Sequence, residues 1–266
     1  MQPFTPDFFE KESYDFDDLL AIVRYLRSPD GCPWDREQTH VSIRKNLLEE
    51  AYEVAEGIDL DDATILREEL GDHLFQAIFH AVIEEERGRF TAADVLTDIC
   101  RKMINRHPHI FADTAAHNGK EALDVWEAVK RKEKQQTTAS DAMRALPKTL
   151  PALMYATKMV GKAARVGFTY DTAAEAAEKV VEEWGELTAA AIPAEIEEEY
   201  GDTLLALVNY GRMLGIDAEE ALTRAAQKFL SRFERAEAKL AENGANLSQC
   251  TKNEWILAWE QAKRGK

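Results

Sequence analysis

Glu50 and Glu53 stand in "LLEEAYEV" (47–54), and Glu69 and Asp72 in "EELGDHLF" (68–75). The pattern returns as Glu183 and Glu186 in "VVEEWGEL" (180–187), followed by Glu199 and Asp202 in "EEEYGDTLL" (197–205). Carboxylates three residues apart share a helix face, about one turn from each other. Two such helices packed antiparallel would bring four carboxylates together. Four converging carboxylates repel and raise one another's pKa unless a cation sits among them. Oxygen-only donors suit a hard ion, Mg²⁺ or, as a substitute, Mn²⁺. One such set could be two separately solvated faces. A di-iron centre in a bundle calls for Glu-x-x-His ligands. Here Asp72 follows Glu69 at that spacing, His73 falls one position late, and Thr203 stands at the second copy's equivalent of His73.

Cations placed further along would suit a phosphate chain. Lys228 and Arg232 are four residues apart and share a helix face, as do Lys102 and Arg106. Alone, each pair reads as ordinary surface charge. Trp259 with Lys263, and Trp126 with Lys130, repeat the four-residue spacing. A Trp can be core, but beside a Lys it can also cover a base and touch a phosphate. Asn209 lies seven residues after Asp202 on the face of Glu199, and Phe79 holds the matching place in the first copy. The second set is therefore expected to be the more active one. Three other features carry less. "GCPWD" (31–35) reads equally as a helix-stopping turn and as a means of placing Trp34 and Asp35 near a site. In "RHPH" (106–109), Pro108 keeps the histidines off one regular helix face, and Cys32 has no Cys or His partner at motif spacing.

Helices must position all of these groups. Apolar residues recur at helical spacing, and alternating runs are hard to find, so the chain is expected to be all-α. Helices are predicted over 16–28, 40–59, 62–87, from Thr91 to before Pro108, 119–134, 152–165, 172–191, 194–214, 217–243 and 252–264. The landmarks repeat in order: the offset is 133 from Glu50 to Glu183, 130 from Asp72 to Asp202, 126 from Lys102 to Lys228 and 133 from Trp126 to Trp259. This predicts an N-terminal extension (1–15), a first helical repeat (16–134), a polar linker with two prolines (135–151) and a second repeat (152–266).

Bulk composition agrees. The 266 residues are 45% hydrophobic, enough for real cores, and the net charge of −16 argues against a broad nucleic-acid-binding surface. A bound divalent cation would still admit phosphate-bearing small molecules. Three widely spaced cysteines read as reduced thiols, and neither a secretory leader nor a membrane span is recognisable, so a cytoplasmic protein without membrane contact is expected.

The tandem acidic units, "GCPWD", "RHPHIFAD" and the K-x3-R pairs together resemble the MazG family of nucleoside triphosphate pyrophosphohydrolases, over essentially residues 16–264. The resemblance implies an all-α fold and a homodimer whose four-helix sites draw on both chains. It also implies Mg²⁺-dependent cleavage of a nucleoside triphosphate between the α and β phosphates. Carried over by motif, Glu183, Glu186, Glu199 and Asp202 would be metal ligands, with Glu50, Glu53, Glu69 and Asp72 their first-repeat counterparts. Lys228 and Arg232 would hold phosphates, and Trp259 and Lys263 would contact the nucleotide. Lys102, Arg106, Trp126 and Lys130 would do the same in the first repeat. Glu182 or Glu186 would accept a proton from the attacking water. Two rivals stand beside this reading. A dUTPase-like enzyme of the same superfamily would share the acidic site and differ in base selectivity. A helical adaptor would tolerate Glu-to-Gln changes in the quartets and gain no stability from Mg²⁺.

Overall fold

A computed structural model describes residues 11–264, which form helices and their connections, with no strand among the described residues. The chain divides into two compact units, Met1–Lys130 and Arg131–Lys266. Most of the expected N-terminal extension lies outside the described residues. Its last residue, Asp15, caps the first helix through a reciprocal capping box with Asp18.

The first unit holds α1 (Phe16–Leu26), α2 (Pro33–Glu37), α3 (Arg44–Asp59), α4 (Ala63–Glu86), α5 (Ala92–Arg106), α6 (Pro108–Phe111) and most of α7 (Gly119–Glu133). Helices α3 and α4 form a hairpin closed by a three-residue turn, with Asp62 accepting from the amides of Thr64 and Ile65. Gly57 sets how closely the hairpin shuts. A Cβ there would meet the Leu66 backbone nitrogen at 2.9 Å, so alanine would push the helices apart. Along α4 the environment changes. Its first half carries Glu69 and Asp72, whereas Ile78, Phe79, Ala81, Val82 and Ile83 in its second half are buried against Leu20 and Val23 of α1.

A polar network borders this core. Arg27, almost fully buried, pairs with Glu86 at 2.7 Å and lies over the Phe79 ring at 5.0 Å. His40 bonds both His80 and buried Glu84, and Arg87 and Arg89 also pair with Glu84. "GCPWD" is both a turn and the start of α2, because Pro33 is well placed in a first helical turn. Pro108 likewise opens α6 after α5, leaving His107 as the cap between the two helices and His109 on α6.

The second unit holds α8 (Ala139–Arg144), α9 (Ala152–Ala164), α10 (Ala173–Ala189), α11 (Pro193–Met213), α12 (Ala218–Glu242), a 3₁₀ turn (Leu247–Gln249) and α13 (Lys252–Arg264). The stretch 135–151, expected as linker, contains α8, nucleated by a Thr138–Asp141 capping box and packed against α9. Helices α10 and α11 form a second hairpin, supported by α9, while α12 lies mainly along α13 and more lightly against α9. The buried residues of the α12–α13 pair are small or few: Ala236, Leu240, Ala258 and Ala262, with Trp255 beside them.

Candidate active site

Each hairpin gathers carboxylates. Oxygens of Glu183, Glu199 and Asp202 lie within 4.8 Å of one another, and those of Glu50, Glu69 and Asp72 do the same. Facing helices supply them, Glu183 from α10 and the other two from α11. The fourth member of each expected quartet is coupled to its trio rather than inside it. Glu53 acts on Glu50 as a neighbouring like charge, and Glu186 exerts the largest like-charge effect on Glu199.

Electrostatics follow from this crowding. Burial, then repulsion by Asp72 and Glu53, pushes the Glu50 carboxyl above its ordinary value. Burial, then Glu186, Asp202 and Glu183, does the same to Glu199. Glu199 Oε2 is moreover buried without a hydrogen-bond partner. A buried acceptor without a donor, among like charges, matches the demand of a hard divalent cation, and the donor set is all oxygen. The residues present fit such an ion.

An ammonium sits at the edge of the second cluster. Lys179 Nζ lies 2.7 Å from both Glu182 and Glu183, one helical turn ahead of them on α10. The hydrogen bonds it donates to Glu182 and Glu183 hold its pKa well above the ordinary lysine value. At the matching position of the first hairpin the residue is Asn46. Sequence reasoning missed Lys179, although a lone cation four residues before Glu183 on an acidic face was a readable signal.

Beside these groups opens a cavity of about 180 Å³, lined among others by Lys179, Glu183, Asp202, Asn209, Tyr170 and Phe168. Asn209, expected in the site, lines this cavity. In the first unit Phe79 fills the matching position with only 2% exposure, edge-on to Phe75, as a core residue rather than a surface for a base.

The remaining expected groups are distributed elsewhere. Lys228 and Arg232 lie on α12, and Trp259 packs on Phe229 of that helix at 5.1 Å. Lys263 pairs with Glu260 at 2.8 Å. None of the four lines the cavity. In the first unit Lys102 is exposed, whereas Arg106 is buried over the Trp126 ring at 5.2 Å, with Lys130 at 4.4 Å from the same ring. There the four expected contacts give a cation–π stack of three members, and Lys102 remains outside it.

Comparison with known proteins agrees with this geometry. Residues 38–111 match the MazG nucleotide pyrophosphohydrolase domain. The chain is 41% identical to the nucleoside triphosphate pyrophosphohydrolase/pyrophosphatase MazG of Thermotoga maritima, over 94% of this chain and 96% of that protein. It is 42% identical to the nucleoside triphosphate pyrophosphohydrolase of Escherichia coli K12, over 93% of this chain and 97% of the relative. The relative from Mycobacterium tuberculosis, of the same description, is 31% identical over 92% of this chain and 68% of its own length. Identity at this level across nearly the whole chain, joined to two acid-lined hairpins, places the chain in the MazG nucleotide pyrophosphohydrolase family.

Proposed function

We propose that this chain hydrolyses nucleoside triphosphates between the α and β phosphates, giving a nucleoside monophosphate and pyrophosphate with Mg²⁺ as cofactor. The observation that carries the proposal is the Glu183–Glu199–Asp202 cluster, with its partnerless Glu199 Oε2, opening onto a cavity that Lys179 and Asn209 line. A divalent cation held there would supply charge neutralisation for the triphosphate and a lowered pKa for an attacking water.

The chain's own residues account for the rest. Glu183, Glu199 and Asp202 present the ligand oxygens, with Glu186 as the fourth carboxylate beside them. Lys179, already among acids, is placed to turn its ammonium to a phosphate oxygen while Glu182 keeps it tethered. Glu186 accepts the proton of the attacking water, whose oxygen adds to phosphorus as the bridging P–O bond breaks. Asn209 offers a hydrogen bond to the nucleoside. A covalent intermediate is unnecessary. Incubation with ribo- and deoxyribonucleoside triphosphates and Mg²⁺ should release monophosphate and pyrophosphate; diphosphate and orthophosphate would overturn the assigned bond.

The same reading makes the working form a homodimer. The chain exposes 18990 Å². Even two separate compact bodies of half its mass would expose only roughly 14,000 Å² together. Part of the excess is apolar: Trp184, Tyr200 and Leu207 on the second hairpin, and Leu222, Phe229 and Leu230 on α12, are all exposed. A second copy covering the hairpin would bring its own Lys228, Arg232 and Trp259 toward the carboxylates. Light scattering should give a dimer at micromolar concentration, and an active monomer would exclude this arrangement.

A further inference from the structure

The cavity beside Asp202 has a hydrogen-bonding polarity, and a residue outside its lining sets it. Arg212, one turn after Asn209 on α11, donates from Nε to Asn209 Oδ1 at 3.0 Å. Its Nη2 donates to Thr169 Oγ1, also at 3.0 Å. Guanidinium has donors and no acceptor, so the Asn209 amide must turn its oxygen toward Arg212. The amide Nδ2–H₂ is thereby left for the cavity, which Asn209 lines together with Phe168 and Tyr170. Thr169 lies between those two aromatics, so the same guanidinium ties the connection bearing them to α11. In the first unit the matching residues are Phe79 and Val82, both buried in the apolar core, and no counterpart of the clamp exists between them.

We propose that Arg212 is a positioning residue for nucleoside recognition. By clamping Thr169 and Asn209 it makes this wall of the cavity a hydrogen-bond donor. The donor selects substrates that place an acceptor there, either a sugar hydroxyl oxygen or a base carbonyl or ring nitrogen. The inference rests on the pyrophosphohydrolase reading above and names how that site reads the nucleoside.

A double-mutant cycle tests it on the full-length protein with Mg²⁺. Steady-state kinetics of pyrophosphate release are measured for wild type, Arg212→Met, Asn209→Ala and the double variant. Each single change should lower kcat/KM by about tenfold, one hydrogen bond's worth, mainly through KM. The double variant should come close to Asn209→Ala, because the Asn209 amide is the group through which Arg212 reaches the nucleoside. Arg212→Gln, whose amide nitrogen can still face Oδ1, should recover most of the loss and serves if Arg212→Met does not fold. Ribo- and deoxyribo- forms of each base separate the two acceptor sources. A loss confined to ribonucleotides assigns the hydroxyl, and a loss that follows the base assigns the base. Multiplicative effects in the double variant, or wild-type kinetics for Asn209→Ala, would overturn the proposal. A wild-type protein that turns over none of these triphosphates would instead sink the underlying enzymatic reading.

Discussion

The two hairpins share their acid spacing and differ in what lies beyond it. Past Asp72, α4 runs into an apolar core in which Phe79 and Val82 are nearly inaccessible. Past Asp202, α11 presents Asn209, held from behind by Arg212, to an open cavity, and α10 adds Lys179. The first hairpin spends this part of its helix on stability. In the second, the same positions remain available to a ligand, at the cost of a small local core. Both hairpins offer a carboxylate cluster of the kind that could hold a cation, but the proposed chemistry also needs a place for the nucleoside and a cation for the phosphates. Among the described residues, the second hairpin sets Lys179 and Asn209 on one cavity with Glu183 and Asp202.

Removing the cation should have the largest effect, because both clusters lose the charge that makes them compatible with a triphosphate. Chelation is expected to abolish turnover, and Glu199→Gln to lower kcat by a hundredfold or more, roughly 2.7 kcal/mol in the barrier. An effect below about tenfold on pyrophosphate release would show that Glu199 is not a ligand. Next in size is a contrast between paired positions. Phe79→Ala should cost about 3–5 kcal/mol of stability, as core aromatic truncations do. Asn209→Ala should leave the unfolding midpoint nearly unchanged and lower kcat/KM. Chemical denaturation and kinetics on both variants would break the comparison if the costs came out reversed.

The smallest expected effect is a pH dependence. Glu50 and Glu199 have carboxyls raised in the folded protein, so their ionisation opposes folding at neutral pH. That destabilisation fades as pH falls from the folded values toward the unfolded ones and is gone below them. If the clusters hold Mg²⁺ as proposed, protons and the ion compete for the same oxygens. The rise in Tm on adding Mg²⁺ should be smaller near pH 5 than near pH 7.5, and Glu199→Gln should flatten the difference. An equal shift at both pH values would mean that the clusters do not bind the ion.

Much of this was legible in the sequence. The ten long helices fall where apolar periodicity and capping residues place them, within about four residues at each end, because amphipathic stripes and Pro or Gly stops are local signals. The short helices α2, α6 and α8 were not anticipated; each follows a proline or a cap and is fixed by its surroundings more than by its own periodicity. Within the site, spacing alone identified the trios that converge. It could not separate Glu53 and Glu186 from them, since residues on one face can differ by a rotamer in reach. Arg212 was invisible for a different reason: its role depends on Thr169, 43 residues away. The burial of Arg106 under Trp126 was equally hidden, because the same four-residue spacings serve a stack as well as a binding surface.

The most direct test of the inequality between the hairpins is a pair of matched substitutions. Pyrophosphate release from a common nucleoside triphosphate would be measured for Glu183→Ala and Glu50→Ala, each first shown to be folded and to keep the wild-type assembly state. Glu183→Ala should lose most turnover, by about a hundredfold, while Glu50→Ala retains much of it. A larger loss in Glu50→Ala would contradict the assignment of the working site to the second hairpin.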